Sequence, residues 1–230
     1  FGEISASNPL FILAVYAPAI AALSIVLWHA GLRGVKRLLS RLLLWRCSVG
    51  WAAFLVLAIP AIYYAGALVK GAPLLVSFPS LGAALSAMAF MLVLGPMEEI
   101  GWRGLALPLL QRLMAPIWAG LLLGMIWGTW HLPAFFLSGT PQSAWGFTPF
   151  LIGSVAVSVI LTPLFNTSGG SILLAALFHF QLNNPLWPDA QPYDTIFFVL
   201  TAVLVVWVNR DTMLTRHAAR TDVMALPSGS

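Results

Sequence analysis

From residue 81 to residue 97 the chain reads LGAALSAMAFMLVLGPM, without a charged side chain. A helix needs about 20 predominantly apolar residues to cross a hydrocarbon core of about 30 Å. Runs of this kind recur at 9–29, 49–69, 79–98, 116–137, 147–165, 171–187 and 194–209, the last one short. Between them lie brief stretches rich in Pro, Gly and Ser, such as SGTPQSAWG and NTSGGS, which are turn-forming compositions. The pattern predicts an all-α, polytopic transmembrane bundle of about seven spans.

Composition agrees. Of 230 residues, 60% are hydrophobic and 8% are charged, where a soluble domain carries roughly 25% charged residues. Residues 1–209 read as one transmembrane domain, with no soluble basic module large enough to bind nucleic acid. Cys47 is the single cysteine, so no internal disulfide is expected. The sequence starts at Phe1 rather than Met, which reads as a processed, trimmed or fragmentary chain. A missing upstream span would raise the count to about eight. The first run lacks a basic leader and a cleavage site, and reads as a span rather than a signal peptide.

The cations are clustered. Arg33, Lys36, Arg37, Arg41 and Arg46 lie in 31–47, Arg112 follows the third run, and Arg210, Arg216 and Arg220 lie in the tail. Alternating spans put these positions on one side, which the positive-inside rule makes the cytoplasm, together with the C-terminus. Lys70, Asp189 and Asp194 fall on the other side. Within 31–47, Leu38, Leu39, Leu42 and Leu43 alternate with cations at helical spacing, which predicts an amphipathic helix at the interface. Residues 210–230 read as a basic, disordered tail.

A few polar residues contradict this apolar setting. The chain has seven Asp and Glu, and two of them, Glu98 and Glu99, adjoin a span. Charge inside a span costs roughly 2.5–3.5 kcal/mol on insertion scales, so such groups usually face a protein interior or a wet cavity. Glu99 and Arg103 are four residues apart and share a helix face. Glu98 is rotated about 100° from Glu99, which leaves it without a local partner. Trp127 and His131 are one turn apart in the fourth run, as are His179 and Asn183 in the sixth. Each has a bland reading: an interfacial carboxylate, a satisfied core histidine, an interhelical hydrogen bond. Together, catalytic-type side chains on three spans point to an active site.

In that order, Glu98-Glu99-x-x-x-Arg103, Trp127-x-x-x-His131 and His179-x-x-x-Asn183 resemble the CPBP family. These are the type II CAAX prenyl proteases and bacteriocin-processing enzymes, also called Abi. The motifs cover roughly 95–185. The family's second motif usually begins with Phe, where this chain has Trp127. The resemblance implies an intramembrane endopeptidase in which Glu98 activates water and His131 helps orient it. It implies further that His179 and Asn183 stabilise the oxyanion, while Glu99 and Arg103 brace the helix end.

The chemistry is consistent: amide hydrolysis needs a base for water, a proton route and oxyanion donors. No HExxH sequence occurs, but Glu98, His131 and His179 could form a two-His, one-carboxylate zinc set. The metal-independent form is favoured, because a zinc site would consume those three ligands and leave Glu99 as the only base, at a spacing that commits it to Arg103. A serine mechanism fits less well, since Ser154, Ser158 and Ser171 have no recognisable histidine arrangement. The expected substrate is a membrane-associated protein or peptide, CAAX-prenylated or otherwise inserted in the lipid bilayer. The Ala-, Leu-, Trp- and Arg-rich composition suggests a bacterial plasma membrane. Two other classes stand beside this reading: a non-catalytic scaffold or bacteriocin-immunity protein, and a proton-coupled transporter. One tension is geometric. His131 lies about 22 Å along a helix starting at 116, whereas a span ending at 98 leaves Glu98 shallower.

Overall fold

Capping residues start most of the helices. The computed structural model describes residues 8–222. Asn8 accepts the Leu10 N–H at 2.9 Å and opens α1 (Pro9–Ser40). Ser48 and Ser80 cap α2 (Val49–Lys70) and α3 (Leu81–Leu113) in the same way. α4 (Pro116–Trp130) begins on a proline, which lacks the N–H that the first turn leaves unpaired anyway. α5 (Phe147–Thr167) follows a loop, and Ser171 caps α6 (Ile172–Leu182). α7 (Asp194–Val208) completes the set.

Each of the seven apolar runs is therefore helical, and the fold is a polytopic helix bundle. α1 to α5 are the five helices long and apolar enough to cross a membrane; α6 and α7 are apolar but shorter. α6 stops at Leu182 instead of continuing to 187, with Asn183 as its cap and Pro185 close behind. A residue before proline is biased away from helix, so the sixth run ends inside the bundle.

α3 departs most from expectation. It does not end at Glu98 but runs on to Leu113. Pro96 interrupts the regular ladder and Gly95–Glu98 forms a 3₁₀ turn. Trp102–Ala106 then forms a π turn just before Pro108. A second π turn, Phe54–Ala58, precedes Pro60 in the same manner. In both cases the proline cannot donate to the carbonyl four residues earlier, and the backbone widens by one residue.

This extension removes the depth tension. Glu98 lies 15 residues before the end of α3 at Leu113, and His131 lies 15 residues after the start of α4 at Pro116. Across an antiparallel hairpin each is about 22 Å from the turn, so the two levels match.

α4 and α5 pack tightly through glycines. A Cβ on Gly120, Gly124 or Gly128 would lie 2.6 Å from Thr162 Oγ1, Val155 Cα or Leu151 Cδ1 respectively. Small residues of this kind allow close approach between membrane helices, where dispersion replaces the hydrophobic effect. Outward-facing Leu13, Leu57, Leu85, Trp118 and Trp207 are exposed, as a lipid-facing surface requires.

Helix ends gather as alternating spans demand. At one end, Gln111 and Asn166 exchange side-chain hydrogen bonds at 3.1 and 2.7 Å, and Arg41 Nη1 donates to the Gly170 carbonyl at 3.5 Å. At the other, Lys70 Nζ meets Asp189 Oδ2 at 2.7 Å. Two expectations change. The 31–47 segment is helical only to Ser40, then makes a single 3₁₀ turn at Arg41–Leu43. Its Leu38 is buried in a cluster with Ile100, Leu105 and Ile172, Leu39 and Leu42 pack partly buried against that cluster, and Leu43 is exposed. As far as it is described, the tail lies back against the helix ends. After a short α8 (Arg210–Met213), Arg112 Nη2 donates to the Thr221 carbonyl at 3.0 Å and Arg220 Nε to the Asn166 carbonyl at 3.3 Å. Buried amides at the helix ends thus find partners in the tail. Residues 223–230 of the expected tail lie outside the described residues.

Candidate active site

The irregular middle of α3 presents four side chains in two turns. Glu98 and Trp102 are four residues apart, as are Glu99 and Arg103, so each pair shares a face. Glu98 Oε2 accepts from Trp102 Nε1 at 3.1 Å. It also accepts from Trp127 Nε1 of α4 at 3.0 Å. Oε1 makes no hydrogen bond to any described residue. Glu98 is thus 3% exposed and held by one oxygen. This corrects the expectation that it has no local partner: two indoles supply one.

Glu99 and Arg103 are both fully buried. Arg103 Nη1 donates to both Glu99 oxygens, at 3.0 and 3.1 Å. Its Nε and Nη2 have no partner among the described residues. The Trp127 ring covers the guanidinium at 4.8 Å from the centroid, a cation–π contact that gains strength when desolvated. Glu99 has a second role. His179 Nδ1 donates to its Oε1 at 2.7 Å, across 80 residues of sequence. A carboxylate only accepts, so Nδ1 carries a proton and Nε2 faces the other way.

His179 Nε2 and Asn183 Nδ2 converge on one point. A Cβ built on Gly95 would lie 2.9 Å from His179 Nε2 and would overlap Asn183 Nδ2. Two potential donors therefore share a small space beside the backbone three residues before Glu98. His131 is placed differently. Its Nδ1 donates to the Trp127 carbonyl at 2.8 Å, which leaves Nε2 as an acceptor. Its ring packs edge-on against Trp130 and Phe150, with centroids 5.0 and 5.2 Å away. It makes no hydrogen bond to Glu98 but lies within electrostatic reach of both Glu98 and His179.

The structure brings Glu98, Glu99, Arg103, Trp127, His179 and Asn183 together, with His131 at the edge. Trp127 is the centre, touching Glu98, Arg103, His131 and His179. The sequence reading missed Trp102, although its spacing from Glu98 repeats that of Arg103 from Glu99. It also passed over Gly95, whose place before Pro96 signals a break in the helix but not its closeness to His179 and Asn183. Among the described residues, no three His, Cys, Asp or Glu side chains are grouped to hold a metal ion.

A polytopic bundle with carboxylate, guanidinium, imidazole and carboxamide groups held inside its apolar helices defines a membrane protein with an intramembrane polar site. Known sequences narrow the class. Residues 80–184 match the family described as "Type II CAAX prenyl endopeptidase Rce1-like". Over 129 residues the chain is 28% identical to "CAAX prenyl protease 2" of Methanococcus maripaludis. That stretch covers 51% of this chain and 48% of the relative, so about half of each protein is matched. The CPBP resemblance is borne out over the segment that holds all three motifs.

Proposed function

We propose that this chain is an intramembrane endopeptidase that hydrolyses a peptide bond of a membrane-associated substrate by a glutamate-activated water. One observation carries the reading: Asn183 Nδ2 and His179 Nε2 converge beside the start of the Glu98 turn. A substrate carbonyl oxygen seated there would meet two N–H donors, with Glu98 on the adjoining turn.

In the reaction, Glu98 Oε1 takes a proton from water as the water oxygen bonds to the carbonyl carbon. The two indole N–H groups on Oε2 fix the carboxylate, so the free oxygen does the work. His131 Nε2 accepts from the same water and aims it. The oxyanion receives hydrogen bonds from Asn183 Nδ2 and His179 Nε2. Donation by Nε2 requires the imidazolium, because Nδ1 already carries a proton toward Glu99. The Glu99 carboxylate supplies the charge that holds it. As the tetrahedral centre collapses, the proton on Glu98 passes to the leaving amine.

The relative's name points to a CAAX-type prenylated substrate; a peptide inserted in the bilayer is the broader class. The end that bears Arg41, Arg112 and Arg216 faces the cytoplasm in this reading. The test is purified protein in liposomes with a farnesylated CAAX peptide and, separately, an unlipidated membrane-inserting peptide. Mass spectrometry should find a single internal cut in at least one. No product from either would favour the scaffold or transporter reading.

Two further expectations arise here. Trp127→Phe keeps an aromatic ring but deletes one of the two N–H donors to Glu98. A hydrogen bond to a charged group contributes about 1.5–3 kcal/mol, so kcat should fall about tenfold or more. The melting temperature should fall as well, but less than if both donors were lost, because Trp102 still pairs Glu98. An unchanged kcat would mean that the second indole does not position the carboxylate. As for metal, no three His, Cys, Asp or Glu side chains among the described residues are grouped to hold an ion, and the oxyanion role asks His179 Nε2 to donate rather than to ligate. Cleavage should therefore survive prolonged treatment with 1,10-phenanthroline. Loss of activity that added zinc restores would make Glu98, His131 and His179 ligands and end the oxyanion assignment.

A further inference from the structure

Gly95 occupies ordinary helical backbone, with φ −64° and ψ −45°. Those φ/ψ values are open to any residue that does not precede a proline, and in a helix glycine is about 1 kcal/mol less favourable than alanine. What distinguishes the position is the space beside it. A Cβ there would overlap Asn183 Nδ2 and lie 2.9 Å from His179 Nε2 and 3.2 Å from its Cδ2. His179 cannot retreat freely, because Glu99 holds its Nδ1 at 2.7 Å. Asn183 can, because its carboxamide makes no side-chain hydrogen bond among the described residues.

We infer that Gly95 is a positioning residue whose missing side chain lets the Asn183 and His179 donors converge on the carbonyl oxygen of the scissile bond. This rests on the proposed peptidase reading. A methyl group at 95 would swing Asn183 away and leave one donor. A merely conformational role is the competing explanation. Pro96 follows, and helical backbone before proline is disfavoured by a clash with the preceding Cβ, which glycine lacks.

A double-mutant cycle separates the two. Removing one oxyanion donor costs roughly 10²–10³ in kcat, so Gly95→Ala and Asn183→Ala should each lower kcat by about a hundredfold with little change in KM. If both act on the same donor, the double variant should match Asn183→Ala within about threefold, because coupled sites are not additive. Gly82→Ala serves as the control. Gly82 is exposed on the same helix, where a Cβ would meet only Ser80 Oγ at 3.7 Å, and its kcat should not move. Wild-type kcat in Gly95→Ala, or losses that multiply in the double variant, would overturn the inference. Should Gly95→Ala prove too unstable to assay, the double variant decides. Folding with the kcat of Asn183→Ala supports the inference, and failure to fold assigns Gly95 to the kink. Because wild type and Glu98→Gln are assayed on the same farnesylated CAAX peptide and unlipidated peptide, failure of the peptidase reading shows separately, as no cleavage by wild type.

Discussion

Glu98→Gln should lower kcat by about 10³-fold, within the range that a positioned general base contributes, and leave the fold intact. Glutamine has the same shape. Its carbonyl oxygen can accept the Trp102 and Trp127 indole N–H groups that Oε2 accepts in the wild type, at 3.1 and 3.0 Å. Its amide nitrogen then lies where Oε1 was, and an amide nitrogen cannot take a proton from water. Glu98→Ala should separate the two roles. It removes the base and also strands two indole N–H groups, at about 1–3 kcal/mol for each that stays dry. The glutamine variant should therefore melt near wild type and the alanine variant below it, with kcat lowered about 10³-fold in both. Near-normal turnover by Glu98→Gln would remove Glu98 as the base, whatever the stability data show.

The sequence made the helices legible and hid where two of them stop. All seven apolar runs are helical, because a long charge-free run has no other way to satisfy its backbone in a membrane. The stretch GPMEEIGWRG looks like the end of a span because charges normally mark an interface. α3 nevertheless runs through it to Leu113, since Glu98, Glu99 and Arg103 all find partners inside the protein. The opposite error occurs at α6, where apolar residues continue past Leu182 but Asn183 and Pro185 end the helix. Hydropathy measures what lipid would accept; it does not register a polar group that another helix accepts. In the described part of the tail Arg210, Arg216 and Arg220 are exposed, as their charge implies, while the bond from Arg220 to the Asn166 carbonyl was not legible.

The candidate site divides along the same line. Pairs one turn apart were readable, namely Glu99 with Arg103, Trp127 with His131 and His179 with Asn183. Contacts between helices were not. The bond from His179 Nδ1 to Glu99 spans 80 residues and the bond from Trp127 Nε1 to Glu98 spans 29. No spacing rule encodes either. Glu99 consequently looked like a local brace, when it is the link between Arg103 and the imidazole.

That link makes Glu99→Ala and Arg103→Ala unequal. Breaking a fully buried ion pair by removing one partner costs on the order of 3–5 kcal/mol, and both residues here are fully buried. Arg103 has Glu99 as its only hydrogen-bond partner among the described residues. Glu99→Ala therefore leaves a buried cation without a hydrogen-bonded carboxylate, next to the Trp127 face and the Glu98 charge, and it also releases His179. Arg103→Ala is milder, because Glu99 keeps its 2.7 Å bond to His179 Nδ1. Glu99→Ala should consequently give the lower melting temperature and lose kcat, whereas Arg103→Ala should lose stability first and activity less. Removing both should melt above Glu99→Ala alone, since no orphaned charge remains, but should not recover kcat with His179 untethered. Thermal melting and turnover of the three variants in one detergent would decide this. Wild-type stability in both single variants would show that the pair is not buried, and equal losses of activity would show that Glu99 does not act through His179.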